Sequence, residues 1–156
     1  MPYNPSRYHC PSLRLPDYDY SQNGTYFVTL NVLHRTCVLG SIDNGVVCLS
    51  DLGQIVTESW MWLAEQYSYV TLGAWVVMSD HFHAIIQIGE YTGNRKPLGQ
   101  LIGAFKTVST KQINTKLCTP GGPFGQRNFY EQVIRDEAVH HAISLYIAEN
   151  PRQWNA

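Results

Sequence analysis

The sequence has little of what marks several large classes of protein. No apolar run approaches the roughly 18 residues that a membrane span needs, and the longest is the short stretch Ala74-Trp-Val-Val-Met78. A helical membrane protein is excluded. Charge is sparse, at 15% of residues, while aromatic residues make up 12% and hydrophobic residues 44%; that balance excludes a disordered, solvating chain. The opening Met1-Pro-Tyr-Asn-Pro-Ser-Arg-Tyr-His-Cys10 contains no apolar leader core and no small-residue cleavage site, so a cytoplasmic location is expected rather than secretion. Cysteine is scattered at Cys10, Cys37, Cys48 and Cys118 with no C-x-x-C pair, which disfavours a zinc knuckle and a disulfide framework. Reduced, mostly packed thiols are the expectation. No internal repeat and no linker divides the 156 residues, so the length predicts one domain that buries about 68% of its unfolded surface.

A net charge of −1 looks wrong for a partner of nucleic acid, but the average conceals an asymmetry. Residues 91–135 carry Arg95, Lys96, Lys106, Lys111, Lys116, Arg127 and Arg135 against the single acid Glu131. The acids are concentrated elsewhere, so one face of a near-neutral fold could attract phosphate. A solvated helix face with a basic loop explains the same run.

Residues 1–23, with four prolines and no period, read as an extended arm. Residues 24–33 are rich in β-branched and aromatic side chains and read as a strand. A short strand at 46–49 follows the turn Asp43-Asn-Gly45. Asp51 can cap a helix, ending near Tyr67, whose apolar residues Leu52, Ile55, Val56, Trp60 and Leu63 recur at helical spacing. Residues 71–78 and 82–88 read as two strands, joined closely enough to be an antiparallel hairpin through Ser79-Asp80 or one long bent ribbon. Pro97 opens a second helix with the stripe Leu98, Leu101, Ile102, Phe105 and Val108. A turn-rich loop fills 118–125, and Asp136 can cap a last helix running to Asn150-Pro151. This order predicts an α+β sandwich, an antiparallel sheet with helices packed on one face.

Two clusters could do chemistry. In His81-Phe82-His83 strand alternation turns both imidazoles to one face, about 6.6 Å apart along the chain, and Phe82 to the other. The core-facing row is then Phe82, Ala84, Ile86 and Ile88. Such a pair could converge on one cation; two half-buried histidines with no ligand role fit the same pattern. Tyr146 and Asn150 lie one helical turn apart on one face, either as a hydroxyl and an amide sharing a site or as a core tyrosine and a helix end. His140 and His141 are adjacent on this helix, point about 100° apart, and are expected at the surface.

Taken together, these segments resemble a known family. His81-Phe-His83 after Ala74-Trp-Val-Val-Met78, and Tyr146-Ile-Ala-Glu-Asn150-Pro-Arg-Gln-Trp154, occur with Arg14-Leu-Pro-Asp-Tyr-Asp-Tyr-Ser21, Gly24-Thr-Tyr-Phe-Val-Thr29, Phe105-Lys-Thr107 and Gln126-Arg-Asn-Phe-Tyr-Glu131. In this order they resemble the REP-associated tyrosine transposases, relatives of the small single-strand insertion-sequence (IS200-like) transposases. The resemblance spans nearly the whole chain. It implies a ferredoxin-like antiparallel sheet flanked by helices, an HUH-type site, and nicking and joining of single-stranded or hairpin DNA through a 5′-phosphotyrosine bond. By that analogy Tyr146 is the nucleophile and His81, His83 and Asn150 hold Mg²⁺ or Mn²⁺. Two imidazoles and an amide oxygen would also suit Zn²⁺ or Ni²⁺. Lys106, Lys111, Arg127, Arg135 and Arg14 are the expected DNA contacts, the chain acts as a monomer or homodimer, and its place is the bacterial cytoplasm, at the nucleoid when bound to DNA.

Two departures stand out: Ser79-Asp80 precedes the first histidine where relatives commonly show Pro-Asn, and Gly125 stands where they commonly carry Trp. Asp80 could orient a histidine ring, and the turn-capping role is the expected one. Tyr130, in the basic segment, is the rival nucleophile. Two other functions compete: a nucleic-acid-binding protein of the same fold without turnover, and a metal hydrolase that uses water and has no need of Tyr146.

Overall fold

The computed structural model describes residues 23–153. The expected arm lies almost wholly outside the described residues, as do Cys10, Arg14 and Trp154.

The first strand, β1 (Gly24–Asn31), is followed by a short 3-10 turn at Leu33–Arg35. A hairpin then pairs β2 (Gly40–Asp43) with β3 (Val46–Leu49). Its two-residue turn puts Asn44 at φ 51° and Gly45 at φ 76°, the left-handed pair whose twist suits a tight hairpin. β3 and its turn are as expected, whereas β2 carries no strand signal, because Gly-Ser-Ile-Asp offers no β-rich run. Helix α1 (Asp51–Gln66) starts one residue earlier than expected: Ser50, not Asp51, is the cap, and its hydroxyl accepts from the Gly53 N–H at 3.2 Å. Asp51 instead sits in the first turn, where its charge complements the helix dipole.

Strands β4 (Val70–Val77) and β5 (His81–Ile88) form the expected antiparallel hairpin. Helix α2 (Leu98–Leu117) begins after Pro97 and ends on Cys118 in the left-handed conformation. A strand absent from the sequence reading, β6 (Tyr130–Ile134), precedes α3 (Glu137–Glu149), which Asp136 caps at Val139 N, 2.8 Å away. A 3-10 turn, Asn150–Gln153, follows α3.

Among the described residues the main sheet has the order β4-β5-β1-β6, with every neighbouring pair antiparallel. The crossovers β1-α1-β4 and β5-α2-β6 each skip one strand, so the two βαβ units interleave. This is the ferredoxin-like α+β sandwich. In β4 the register slips by one residue between Leu72 and Trp75. The bulge reverses side-chain parity, and Val70 and Val77, seven positions apart, both enter the same core. Gly73 lies at this slip, where a Cβ would stand 3.0 Å from the Ile85 side chain.

The helices do not all pack on one face, which corrects that part of the reading. Tyr26, Val28 and Leu30 of β1 and Phe82, Ala84, Ile86 and Ile88 of β5 meet Trp60, Leu63, Leu101, Ile102 and Phe105 of α1 and α2. On the reverse face Phe27, Ile85 and Ile134 are buried against Ile143 and Ile147 of α3. The central strands are apolar on both sides, so a second layer is needed to remove Phe27 and Ile85 from water. No helix of the described residues is long and apolar enough to cross a membrane.

Candidate functional site

The histidine pair opens β5 on the face covered by α3. Alternation operates as expected: Phe82 is 2% exposed in the larger core, while His81 and His83 point the other way, each 6% exposed. Their ring centroids are 4.6 Å apart. Each imidazole is held through Nδ1. His83 Nδ1 lies 2.7 Å from Thr29 Oγ1, its cross-strand neighbour on β1, and the ring stacks on Phe27 at 5.5 Å. His81 Nδ1 lies 2.5 Å from Asp80 Oδ1. A nitrogen and an oxygen both presenting lone pairs would repel at that distance, so a proton lies between them. With both Nδ1 atoms engaged, Nε2 is the ring atom that each histidine could offer to a common ligand, and the His81 ring also bonds the Asn150 side chain.

Asp80 is therefore a ring-orienting group, not the turn cap expected of it. Its other oxygen, Oδ2, accepts from Arg35 Nε at 2.9 Å. Arg35 and His34 sit at φ 55° and 59°, two successive non-glycine residues in the left-handed region, a strain of roughly 1–3 kcal/mol each. Backbone bonds hold this loop against the hairpin end: Val32 N donates to Asp80 O at 2.9 Å and Leu39 N to Ser79 O at 2.9 Å. Arg35, Thr29 and Phe27 were not singled out in the sequence. Only the β1–β5 register, which sets Asn31 opposite His81, brings the turn after β1 beside Asp80.

Helix α3 supplies the remaining members. Ile143 and Ile147, four apart, anchor its buried stripe, and this turns Tyr146 toward the histidines, its ring 5.4 Å from that of His83 and 6.4 Å from Phe27. Asn150, where the helix passes into the final 3-10 turn, hydrogen-bonds through its side chain to both His81 and Tyr146. Four residues from the middle and the end of one chain thus meet on one face. Among the described residues no three His, Cys, Asp or Glu side chains are grouped to hold a metal. A cation here depends on the Asn150 amide beside the two imidazoles, a neutral donor set that borderline and hard divalent ions can both use.

The electrostatics favour the uncharged form of both histidines. Burial pushes His83 well below its ordinary value, with the neighbouring His81 and Arg35 adding to the effect; burial also lowers His81, against the opposing pull of Asp80. Burial raises the Tyr146 phenol, and its bond to Asn150 works in the opposite direction. The unfolded chain takes up protons on these histidines near pH 6.5, before the folded chain can. Stability from their neutral burial is therefore intact above pH 6.5 and lost as pH falls through the lower, folded values. Thermal unfolding midpoints measured between about pH 8 and pH 5 are expected to fall on acidification, and to fall less steeply in His83→Gln.

The basic segment is divided in its duties. Lys106 Nζ donates to the carbonyls of Gln126 and Arg127 at 2.8 and 3.2 Å and lies over the Phe129 ring; it pins the 126–127 loop to α2. Lys111 is exposed beside a groove of about 790 Å³ between α2 and the loop after it, where Thr107, Thr110 and Thr115 also lie. Lys116 pairs with Asp51 at 3.2 Å, Arg95 donates to Gly89 O at 2.7 Å, and Arg127 and Arg135 are exposed. Tyr130 is half-buried on β6 opposite Thr29, two strands from His83 on the same face. His140 and His141 are exposed, as expected. Cys37, Cys48 and Cys118 are exposed rather than packed, since they fall in a loop, on the open hairpin and at a helix end.

The fold is similar to those of solved transposases. It superposes on a REP-associated tyrosine transposase bound to a REP hairpin with a TM-score of 0.64, at 21% identity over 89% of this chain and 73% of the other. A candidate transposase from Deinococcus radiodurans gives 0.54 at 17% identity, over 89% of this chain and 97% of that one. In sequence the chain is 30% identical, over 172 aligned positions covering 97% of it and 93% of the relative, to an uncharacterized protein of Haemophilus influenzae, and it belongs to one family with that protein. No family model matches the sequence.

Proposed function

We propose that this chain is an HUH-type tyrosine transposase that nicks and rejoins single-stranded DNA at hairpin or repeat sequences. The observation that carries the reading is the gathering of Tyr146, Asn150, His81 and His83 on one face of one chain. The likeness of fold to a transposase bound to hairpin DNA supports it.

Tyr146 is the attacking group. Its oxygen forms a bond to phosphorus, the bond to the 3′ oxygen breaks, and the phenol proton balances the one taken up by the departing 3′-hydroxyl. The 5′-phosphotyrosine that results can be attacked in turn by another 3′-hydroxyl, so strands are joined as well as cut. An amide N–H donated by Asn150 to the phenolic oxygen favours the phenolate, opposing its burial. His81, His83 and Asn150 would hold a divalent ion, Mg²⁺ or Mn²⁺ by family resemblance, which when bound supplies Lewis-acid polarisation of the scissile phosphate. Because these three donors are neutral, that ion would keep its full charge for the substrate. Incubation with hairpin-bearing single strands and Mn²⁺, followed by denaturing electrophoresis, should reveal a protein–DNA adduct. Binding with no adduct would favour the reading without turnover, and hydrolysis with no adduct would favour the water-using hydrolase.

For DNA contact we propose Lys111, Arg127 and Arg135, with Arg14 from outside the described residues. Lys106 contributes by shaping the 126–127 loop. Replacing Lys111 and Arg127 with Ala should reduce the salt slope of single-strand binding by about 1.4, the value for two phosphates. Lys106→Ala should weaken binding through the loop and leave that slope close to wild type. A salt slope unchanged in the double variant would move the DNA elsewhere.

A further inference from the structure

We propose that Arg35 and Asp80 are positioning residues that lock the His81 imidazole in its Nδ1–H form and aim the Nε2 lone pair at the space shared with His83 and Asn150. This rests on the reading of His81 as a metal ligand. The relay is a continuous set of contacts: Arg35 Nε to Asp80 Oδ2 at 2.9 Å, and Asp80 Oδ1 to His81 Nδ1 at 2.5 Å. Arg35 Nη2 also approaches His81 Nδ1 to 3.5 Å, a donor-to-donor contact in the Nδ1–H form that is not a bond of the relay. Each carboxylate oxygen is thus held by a protein group, which fixes the orientation of Asp80 against the imidazole. The guanidinium is suited to this task because its planar fork meets a carboxylate in one orientation, which a lysine ammonium cannot do.

The backbone is consistent with such a role. Arg35 is half exposed, with 49% of its side chain accessible, and gains little from packing. It nevertheless sits with His34 in successive left-handed conformations, which persist in proteins where the surroundings over-determine them. The Val32 N–H bond to the Asp80 carbonyl fixes the distance between the two loops without using either side chain. Ala at position 80 or 35 therefore keeps the backbone contacts that join the loops.

The test uses the full chain. Nitrogen-15 NMR of the ion-free protein reads the tautomer of His81 directly, and titration with Mn²⁺, followed by electron paramagnetic resonance, reads ion affinity without reference to cleavage. Wild type should show His81 protonated at Nδ1. Asp80→Ala should shift it toward the Nε2–H form and weaken Mn²⁺ binding about 10- to 100-fold, the usual cost of losing a partner behind a metal-binding histidine. Arg35→Ala should move both readouts the same way by a smaller factor, and Arg35→Lys should not restore them. His81→Ala is the control for the underlying reading: wild-type Mn²⁺ affinity in that variant would show that His81 is not a ligand. Loss of Mn²⁺ binding in His81→Ala, with wild-type tautomer and affinity in Asp80→Ala, would overturn the relay alone. An Nε2–H tautomer in the wild type would overturn it as well.

Discussion

Removing only the phenolic oxygen of Tyr146, as Tyr146→Phe, is expected to abolish the covalent DNA adduct and to reduce cleavage on the order of 10⁴-fold or more, the scale seen when an enzyme loses its nucleophile. Three features make the result interpretable. The ring keeps its edge contact with Phe27 and His83, so the helix retains its seat. The lost hydrogen bond to Asn150 costs about 1 kcal/mol of stability, small enough to leave the chain folded. The basic surface is untouched, so hairpin DNA should still bind. Tyr130→Phe should retain both cleavage and adduct, because Tyr130 lies two strands from His83. Denaturing electrophoresis of the two variants decides the matter; an adduct that survives in Tyr146→Phe and disappears in Tyr130→Phe would reverse the assignment.

The second large effect is expected of the histidines. His83→Ala should remove metal-dependent cleavage entirely. It should also destabilise the fold. The ring is 6% exposed, stacked on Phe27 and bonded to Thr29. Truncation leaves the Thr29 hydroxyl without its partner, at about 1–3 kcal/mol, and opens a cavity beneath Tyr146. His81→Ala should be equally inactive. Since all four site residues come from one chain, mixing His83→Ala with Tyr146→Phe should not restore cleavage. Recovery of activity in the mixture would show a tyrosine helix acting on its partner's histidines.

What the sequence revealed and what it concealed follow from how local each signal is. The face shared by His81 and His83, with Phe82 opposed, needs only the two-residue period of a strand, and Tyr146 with Asn150 needs only the helical period; both are found as expected. The strand Tyr130–Ile134 carries little local signal because Tyr-Glu-Gln-Val-Ile is half polar, as suits an edge strand that pairs with β1 alone among the described residues. The packing of α3 on the reverse face required knowing that Phe27 and Ile85 stand side by side across two strands. The role of Asp80 was hidden for the same reason: its partner Arg35 lies 45 positions away in sequence and is brought near by strand register alone.

The two hydrophobic layers are unequal, and this bears on how a buried site can be reached at all. The core beneath α1 and α2 holds large aromatic anchors, Trp60, Phe82 and Phe105, in mutual edge and face contact, whereas α3 rests on Phe27, Ile85 and Ile134 through two isoleucines. Free energies of local opening follow buried apolar area, so of the two helical layers α3 is the one whose detachment costs less and whose amide protons exchange sooner. Such partial undocking would lift Tyr146 and Asn150 away together while leaving His81 and His83 fixed in the central sheet, and would uncover two imidazoles that are otherwise 6% exposed.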